Sequence, residues 1–276
     1  MKATYFAATA IAALALSGTA HASVDFILGQ GADGKVYSID VTDASASVFQ
    51  DLSDFNTDPT EADNSPNALG FNGSSFRSDF PEDNNINTLY RNDTALFTYD
   101  TGSGNASGVA AGDVVGDVYH FIDRDGFYNT ITGINGSPGT QGFTQSDRID
   151  LGLGGPFGDL AIRGDDLFVS YGNSFSIFDL TDLSLSPTTF ALQRFAGLAF
   201  AHGDLYGVTG GQGATSELWS IDFLNGTDTL VGNTGVALTD AATVPLPAAA
   251  WLMIGGLGAV GAAARHGRRK RVGASA

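Results

Sequence analysis

Gly29-Gln30-Gly31-Ala32-Asp33-Gly34 fits the pattern G-x-G-x-x-G and follows the apolar run Phe26-Ile27-Leu28. In a dinucleotide site such a loop opens a helix whose first amides hold the pyrophosphate. Here Lys35 to Val41 alternates apolar and polar, which predicts a strand. The loop therefore reads as a hairpin turn, and no cofactor is expected from it. Asp123-Arg124-Asp125-Gly126 has the spacing with which a calcium loop begins, and Asp123 and Asp125 are the calcium candidates. The complete loop needs a third ligand before the Gly and a later Glu, and both are missing. An Asx turn is the favoured reading of these residues.

Histidine limits the remaining chemistry. Of four His residues, His21 and His266 sit near the ends, leaving His120 and His202 in the middle. A three-His zinc site cannot be built from two. No G-x-S-x-G elbow supplies a nucleophilic serine. There is no cysteine, which removes disulfides, thiolate metal sites and cysteine nucleophiles. Glycoside cleavage needs two carboxyls at a set separation, and sequence does not show separations. The acids include only three Glu: Glu61, Glu82 and Glu217. Phe200, Tyr206 and Trp219 have the character of sugar-stacking aromatics, but their places in a repeat favour core packing.

The chain has 276 residues and a formal net charge of −17. This acidity excludes nucleic acid as an expected partner, because phosphate neutralisation requires basic side chains. The two ends differ from the middle. Met1-Lys2, the uncharged run Ala3 to Leu16 and the small-x-small triplet Ala20-His21-Ala22 form a secretory signal, with the cut placed after Ala22. At the other end come Val244-Pro245-Leu246-Pro247-Ala248 and an uncharged stretch, 249–264. Arg265, Arg268, Arg269, Lys270 and Arg271 follow. A helix over 249–264 would be roughly 25 Å long, slightly under the hydrocarbon thickness of a bilayer. The basic residues would stay cytoplasmic and leave the body outside.

That order of motif, apolar helix and Arg-rich end resembles the VPLPA variant of the PEP-CTERM sorting signal. The resemblance covers about the last thirty residues. It implies recognition by an exosortase, a membrane transpeptidase of Gram-negative bacteria that make exopolysaccharide. It further implies cleavage near the Pro-containing motif, then release or attachment at the cell surface. A permanent single-helix anchor is the alternative. The expected organisation is a signal peptide at 1–22, an extracytoplasmic body at 23–243, the sorting motif at 244–248, a transmembrane helix at 249–264 and a basic tail at 265–276. All 30 acidic residues fall between Asp25 and Asp240, beside only seven basic ones, so the body carries −23. Such a surface stays soluble and repels anionic polymers unless a cation bridges them.

The body reads as all-β. Asn72-Gly73, Asn135-Gly136 and Asn225-Gly226 are hairpin-turn dipeptides, and amphipathic helical stripes are lacking. A repeat is also visible. Gly158-Asp159-Leu160-Ala161-Ile162, Gly164-Asp165-Asp166-Leu167-Phe168 and Ser176-Ile177-Phe178-Asp179 recur 38 residues later as Ala196-Gly197-Leu198-Ala199-Phe200, Gly203-Asp204-Leu205-Tyr206 and, with a small insertion, Ser220-Ile221-Asp222. A fainter copy runs from Ala68-Leu69-Gly70-Phe71 to Leu96-Phe97-Thr98-Tyr99-Asp100, and another ends at Ile39-Asp40. The unit is an apolar strand, a Gly-Asp turn, a second strand and a third strand ending in Asp. A period near 40 residues predicts a β-propeller of about five blades, with a β-sandwich as the alternative. The repeats resemble those of secreted propeller-like proteins. Residues 101–157 keep the pattern poorly and read either as a degenerate blade or as a long loop.

The expectation for function is an exported, non-enzymatic surface or matrix protein. It would pass through the secretion machinery and exosortase, with a binding or scaffolding role linked to exopolysaccharide. Two alternatives stand beside it: a secreted carbohydrate-active enzyme (glycosidase or lyase) using channel carboxylates, and a calcium-dependent adhesin.

Overall fold

The computed structural model describes residues 25–52, 67–78, 86–92, 94–100, 109–137, 142–153, 157–183, 187–210 and 214–245. The first strands are β1 (Phe26–Gly31), β2 (Lys35–Asp40) and β3 (Ala46–Asp51), joined as an antiparallel meander. The second sheet is β4 (Asn67–Phe71), β5 (Ser75–Ser78), β6 (Ile86–Arg91) and β7 (Thr94–Asp100). The third is β8 (Val109–Val115), β9 (Val118–Asp123), β10 (Phe127–Thr132) and β11 (Thr144–Gln145), with β12 (Ile149–Asp150) also pairing β10. The fourth is β13 (Phe157–Arg163), β14 (Asp166–Tyr171), β15 (Ser174–Asp179) and β16 (Thr188–Ala191). The fifth is β17 (Gly197–Ala201), β18 (Asp204–Val208), β19 (Glu217–Asp222) and β20 (Thr227–Asn233). The last strand, β21 (Leu238–Ala242), returns to β1 and completes the first sheet, with Leu28 opposite Ala242 and Gln30 opposite Asp240.

These five sheets are the blades of a five-bladed β-propeller. Each inner strand touches the next around the axis: β21 with β4, β4 with β8, β8 with β13, β13 with β17, and β17 with β21. Five hydrophobic clusters occupy the five junctions. The junction of blades four and five is typical: Phe168 and Phe175 pack on Phe195, Leu198 and Leu205. A single sheet has two apolar faces and can cover neither alone, so the blades stack. Among the described residues, the junction of blades one and two has the smallest buried set: Leu28, Val36, Leu52, Leu69 and Ala242.

Two expectations from the sequence need correction. Leu96 to Asp100 belongs to β7, an outer fourth strand, and the third strand of blade two is Ile86–Arg91. The repeat unit has four strands, because each blade adds an outer strand that the echo did not contain. Those outer strands expose most of their residues, as in β3 and β20, so no apolar alternation marked them. Residues 101–157 contain a true blade, and its outer positions are filled by two two-residue strands. The Asp that ends the third strand now has a reason. Asp40, Asp179 and Asp222 each accept a hydrogen bond from the backbone N–H two residues on, at 2.8, 2.8 and 3.1 Å. This Asx geometry starts the turn into the outer strand.

Glycine permits the inner strands to crowd the axis. A Cβ on Gly197 would lie 2.4 Å from Ala241 N and 2.6 Å from the Asp240 carbonyl carbon, both backbone atoms. Gly197→Ala should therefore push blades five and one apart and cost about 1–3 kcal/mol. At about 2–4 °C per kcal/mol, that is a drop of roughly 2–12 °C in Tm. Gly142→Ala, where nothing lies within 4 Å, should leave Tm within about 1–2 °C of wild type. Thermal unfolding followed by circular dichroism checks both.

Candidate functional site: the carboxylates on the axis

The inner strand of a blade pairs with its neighbour along one edge only. The other edge turns its N–H and C=O groups toward the axis, where each buried group still needs a partner. Side chains of adjacent blades supply those partners. Asp240 Oδ2 on β21 accepts from Leu69 N–H on β4 at 2.6 Å, and Asp113 Oδ2 on β8 accepts from Ile162 N–H on β13 at 3.1 Å. Asp159 Oδ2 on β13 accepts from Leu198 N–H on β17 at 2.6 Å. Tyr119 Oη donates to Ala68 C=O at 2.8 Å, linking blades three and two. Thr243 Oγ1, just past β21, accepts from Phe200 N–H at 2.9 Å, linking blades one and five. Every junction of the ring thus carries a side chain–backbone clasp.

The three aspartates are buried, at 2 %, 0 % and 1 % exposure for Asp113, Asp159 and Asp240. Each has small or apolar residues on both sides of it in its strand. Loss of water pushes the Asp113 carboxyl up to about 7, against the pull of the Val114 and Ile162 amides. Asp159 and Asp240 face one another, with Gly197 at the equivalent position in the blade between them. Desolvation raises both, and the nearby Asp240 charge raises Asp159 further, so the pair as a whole holds on to a proton. Among the described residues Asp159 Oδ1 receives no hydrogen bond from an N–H or hydroxyl donor. A proton held between the two carboxyls gives it a role.

This pair has the composition of a catalytic dyad without access for a substrate. Asp240 Oδ1 and Oδ2 are taken by Ala241 and Leu69 N–H, and Asp159 Oδ2 by Leu198 N–H. General acid–base work requires hydrogen-bond reach to a substrate, and neither carboxyl is exposed enough to meet one. The arrangement acts mechanically, tying blade to blade.

The residues singled out by sequence lie elsewhere. Gly29 to Gly34 spans the end of β1 and the turn into β2, with Asp33 Oδ2 held by Lys35 Nζ and Tyr37 Oη at 2.8 Å each. Asp123 is fully buried at the end of β9. Its Oδ1 accepts from Asp125 and Phe127 N–H, both at 3.0 Å, and its Oδ2 pairs with Arg148 at 2.7 Å. Asp125 lies 3.8 Å from the same guanidinium. Among the described residues, no three His, Asp or Glu side chains converge as a metal site. His120 is half-buried, and its Nδ1 hydrogen-bonds Tyr128 Oη at 2.6 Å; loss of water around the ring lowers its pKa to about 4, leaving it neutral. His202 occupies the β17–β18 turn with a positive φ of 55° and binds Asp25 through Nε2. Phe200 is core, and Tyr206 and Trp219 are half-buried against clusters. Of the sorting motif, Val244 and Pro245 are described. Leu246, Pro247 and Ala248, the stretch 249–264, the basic residues Arg265 to Arg271, and the signal with Ala20 and Ala22 lie outside the described residues. Among the described residues no helix is long and apolar enough to cross a membrane.

Sequence reasoning passed over Asp113, Asp159 and Asp240. Their signal was an acid inside a run of small and apolar residues, as in Ala111-Gly112-Asp113-Val114 and Gly158-Asp159-Leu160-Ala161. A charged residue there needs a partner, and the partner becomes visible only when blades are placed side by side.

These groups make stability depend on pH in a defined direction. An unfolded Asp ionises near 3.9, while the folded axis holds its protons to about 7 or above. The native state therefore binds more protons, and stability falls as pH rises from about 4 through about 7. His120 works the other way between about 4 and 6.5, then is neutral in both states. Tm should fall between about pH 6.5 and pH 8, and Asp113→Asn should reduce that slope even where it lowers Tm at both values. An equal slope in the variant would contradict the assignment.

No family model and no curated protein matches the chain. Solved structures similar to it include the glutaminyl cyclase of Myxococcus xanthus, at 14 % identity, a TM-score of 0.43, and coverage of 65 % of this chain and 70 % of that one. A streptogramin B lyase gives 14 % identity and a TM-score of 0.44 over 82 % of this chain and 70 % of its own. The WD40 propeller domain of Doa1 gives 10 % identity and 0.44 over 78 % and 67 %.

Proposed function

We propose that the chain is an exported binding or scaffolding protein of the cell surface or extracellular matrix, delivered by its N-terminal signal and processed at its C-terminal one. One observation supports this above the others. In blades two to five, a tight turn joins the first strand to the second, as at 116–117, 164–165 and 202–203. Blade one lacks that turn, because its inner strand is β21 and its second strand is β1. The chain enters at Asp25 and leaves at Thr243 in its place. Asp25 is bound to His202 and Thr243 to Phe200 N–H, both on blade five. Two targeting segments from opposite ends of the sequence thus join the body at one point on one face. Both can engage the same membrane without the chain crossing the body, and the opposite face points away from it.

The acidic surface narrows the partner. A body at −23 repels an anionic polysaccharide, so a polymer held directly would be neutral or cationic, and an anionic one would need a divalent bridge. The carbohydrate-active alternative gains nothing from Asp159 and Asp240, which are sealed in the axis.

Fractionation of the producing cell followed by mass spectrometry tests the reading. The chain should begin at Ser23, and the surface or medium fraction should hold a body without Trp251. A full-length product in the cytosol with both ends uncut would refute export, and an intact Trp251-containing tail in the medium would refute processing.

A further inference from the structure

The fold limits where the tail can be cut, an inference that rests on the processing reading above. β21 ends at Ala242, yet the packed structure continues past it. Thr243 Oγ1 is the acceptor for Phe200 N–H and makes the clasp between blades five and one. Val244 is half-buried against the cluster of Leu28, Val36, Leu52, Leu69 and Ala242, at the junction of blades one and two. Pro245 is exposed. Among the described residues the boundary between packed and exposed chain therefore falls between Val244 and Pro245, inside the Val-Pro-Leu-Pro-Ala motif.

We propose that Thr243 and Val244 belong to the propeller, and that the bond broken in processing lies on the C-terminal side of Pro245. An enzyme that cuts a chain must reach the two residues that flank the bond. Cutting at Thr243 or Val244 would require these residues and part of β21 to be peeled from blade one. That would break the Phe200 clasp and uncover the apolar cluster beneath Val244. A cut beyond Pro245 disturbs neither. The motif then has two roles: its first residue seals the body, and its remainder is offered to the enzyme.

Two measurements on the full chain decide this. In the producing cell, the C-terminal peptide of the mature protein should end at Pro245 or later. An end at Val244 or earlier would overturn the proposal while leaving the processing reading intact. A tail left whole would overturn the processing reading, and the proposed cut with it. Separately, the purified full-length chain in detergent is digested with proteinase K, and the C-terminal end of the resistant body is read by mass. Retention of Thr243 and Val244 is expected. Trimming to Ala242 or beyond would overturn their assignment to the body, whatever the cell does.

Discussion

The inner edge of each blade is the constraint to which the rest of the structure answers. Ring closure around a narrow axis leaves one row of backbone groups per blade without a strand to pair with. Glycine and alanine bring these edges close together: a Cβ on Gly197 would lie 2.4 Å from Ala241 N. A buried amide without a partner costs about 1–3 kcal/mol. The protein meets this with one clasp at every junction: Asp240 to Leu69, Tyr119 to Ala68, Asp113 to Ile162, Asp159 to Leu198, and Thr243 to Phe200. In the three Asp clasps the donor sits one residue past the acid's equivalent position on the next blade. The acids occupy two heights along the axis: Asp159 and Asp240 align with Gly197, whereas Asp113 aligns with Ala161. The device is therefore set by geometry, since the same side chain reaches the same kind of amide wherever it enters the strand.

A clasp made from a carboxylate carries a cost that a hydroxyl clasp does not. Removing Asp113 from water disfavours its charge, and the two amides it receives do not fully compensate. Placing Asp159 against Asp240 removes one of the two charges, since a shared proton is cheaper than two buried anions. This separates them from a catalytic pair of similar composition. Catalytic carboxyls keep a lone pair or a proton available to a substrate, whereas these direct theirs at backbone amides and at each other.

Much of the fold was legible in the sequence because its periodic parts are buried or sit in turns. The Gly-Asp and His-Gly turns between first and second strands must turn tightly, and Gly116 and Gly164 both take a φ of 62° there. Asp40, Asp179 and Asp222 recur because each starts the same Asx turn. The outer strands were not legible: β3 and β20 face solvent, so any polar sequence of sufficient extension serves. Blade three was blurred because its outer layer is two fragments, β11 and β12, separated by a loop. The axial acids could be seen as residues but not as a set. Their partners lie on different blades, and Asp240 reaches Leu69 across 171 positions of sequence.

The closing strand joins the two ends of the described chain in one blade. Blade one is assembled from β1, β2 and β3 near the start of the chain and β21 near its end, so its inner edge stays open until residues 238–242 arrive. Until then β1 lacks one partner strand, and Leu69 N–H lacks its acceptor. Contacts this distant in sequence are entropically the slowest to form. The other four sheets are each built from consecutive strands and do not wait for β21. The strand that seals the ring also fixes where the tail leaves it, so a load applied through the tail is borne first by the pairing of β21 with β1 and by the Asp240 and Thr243 clasps.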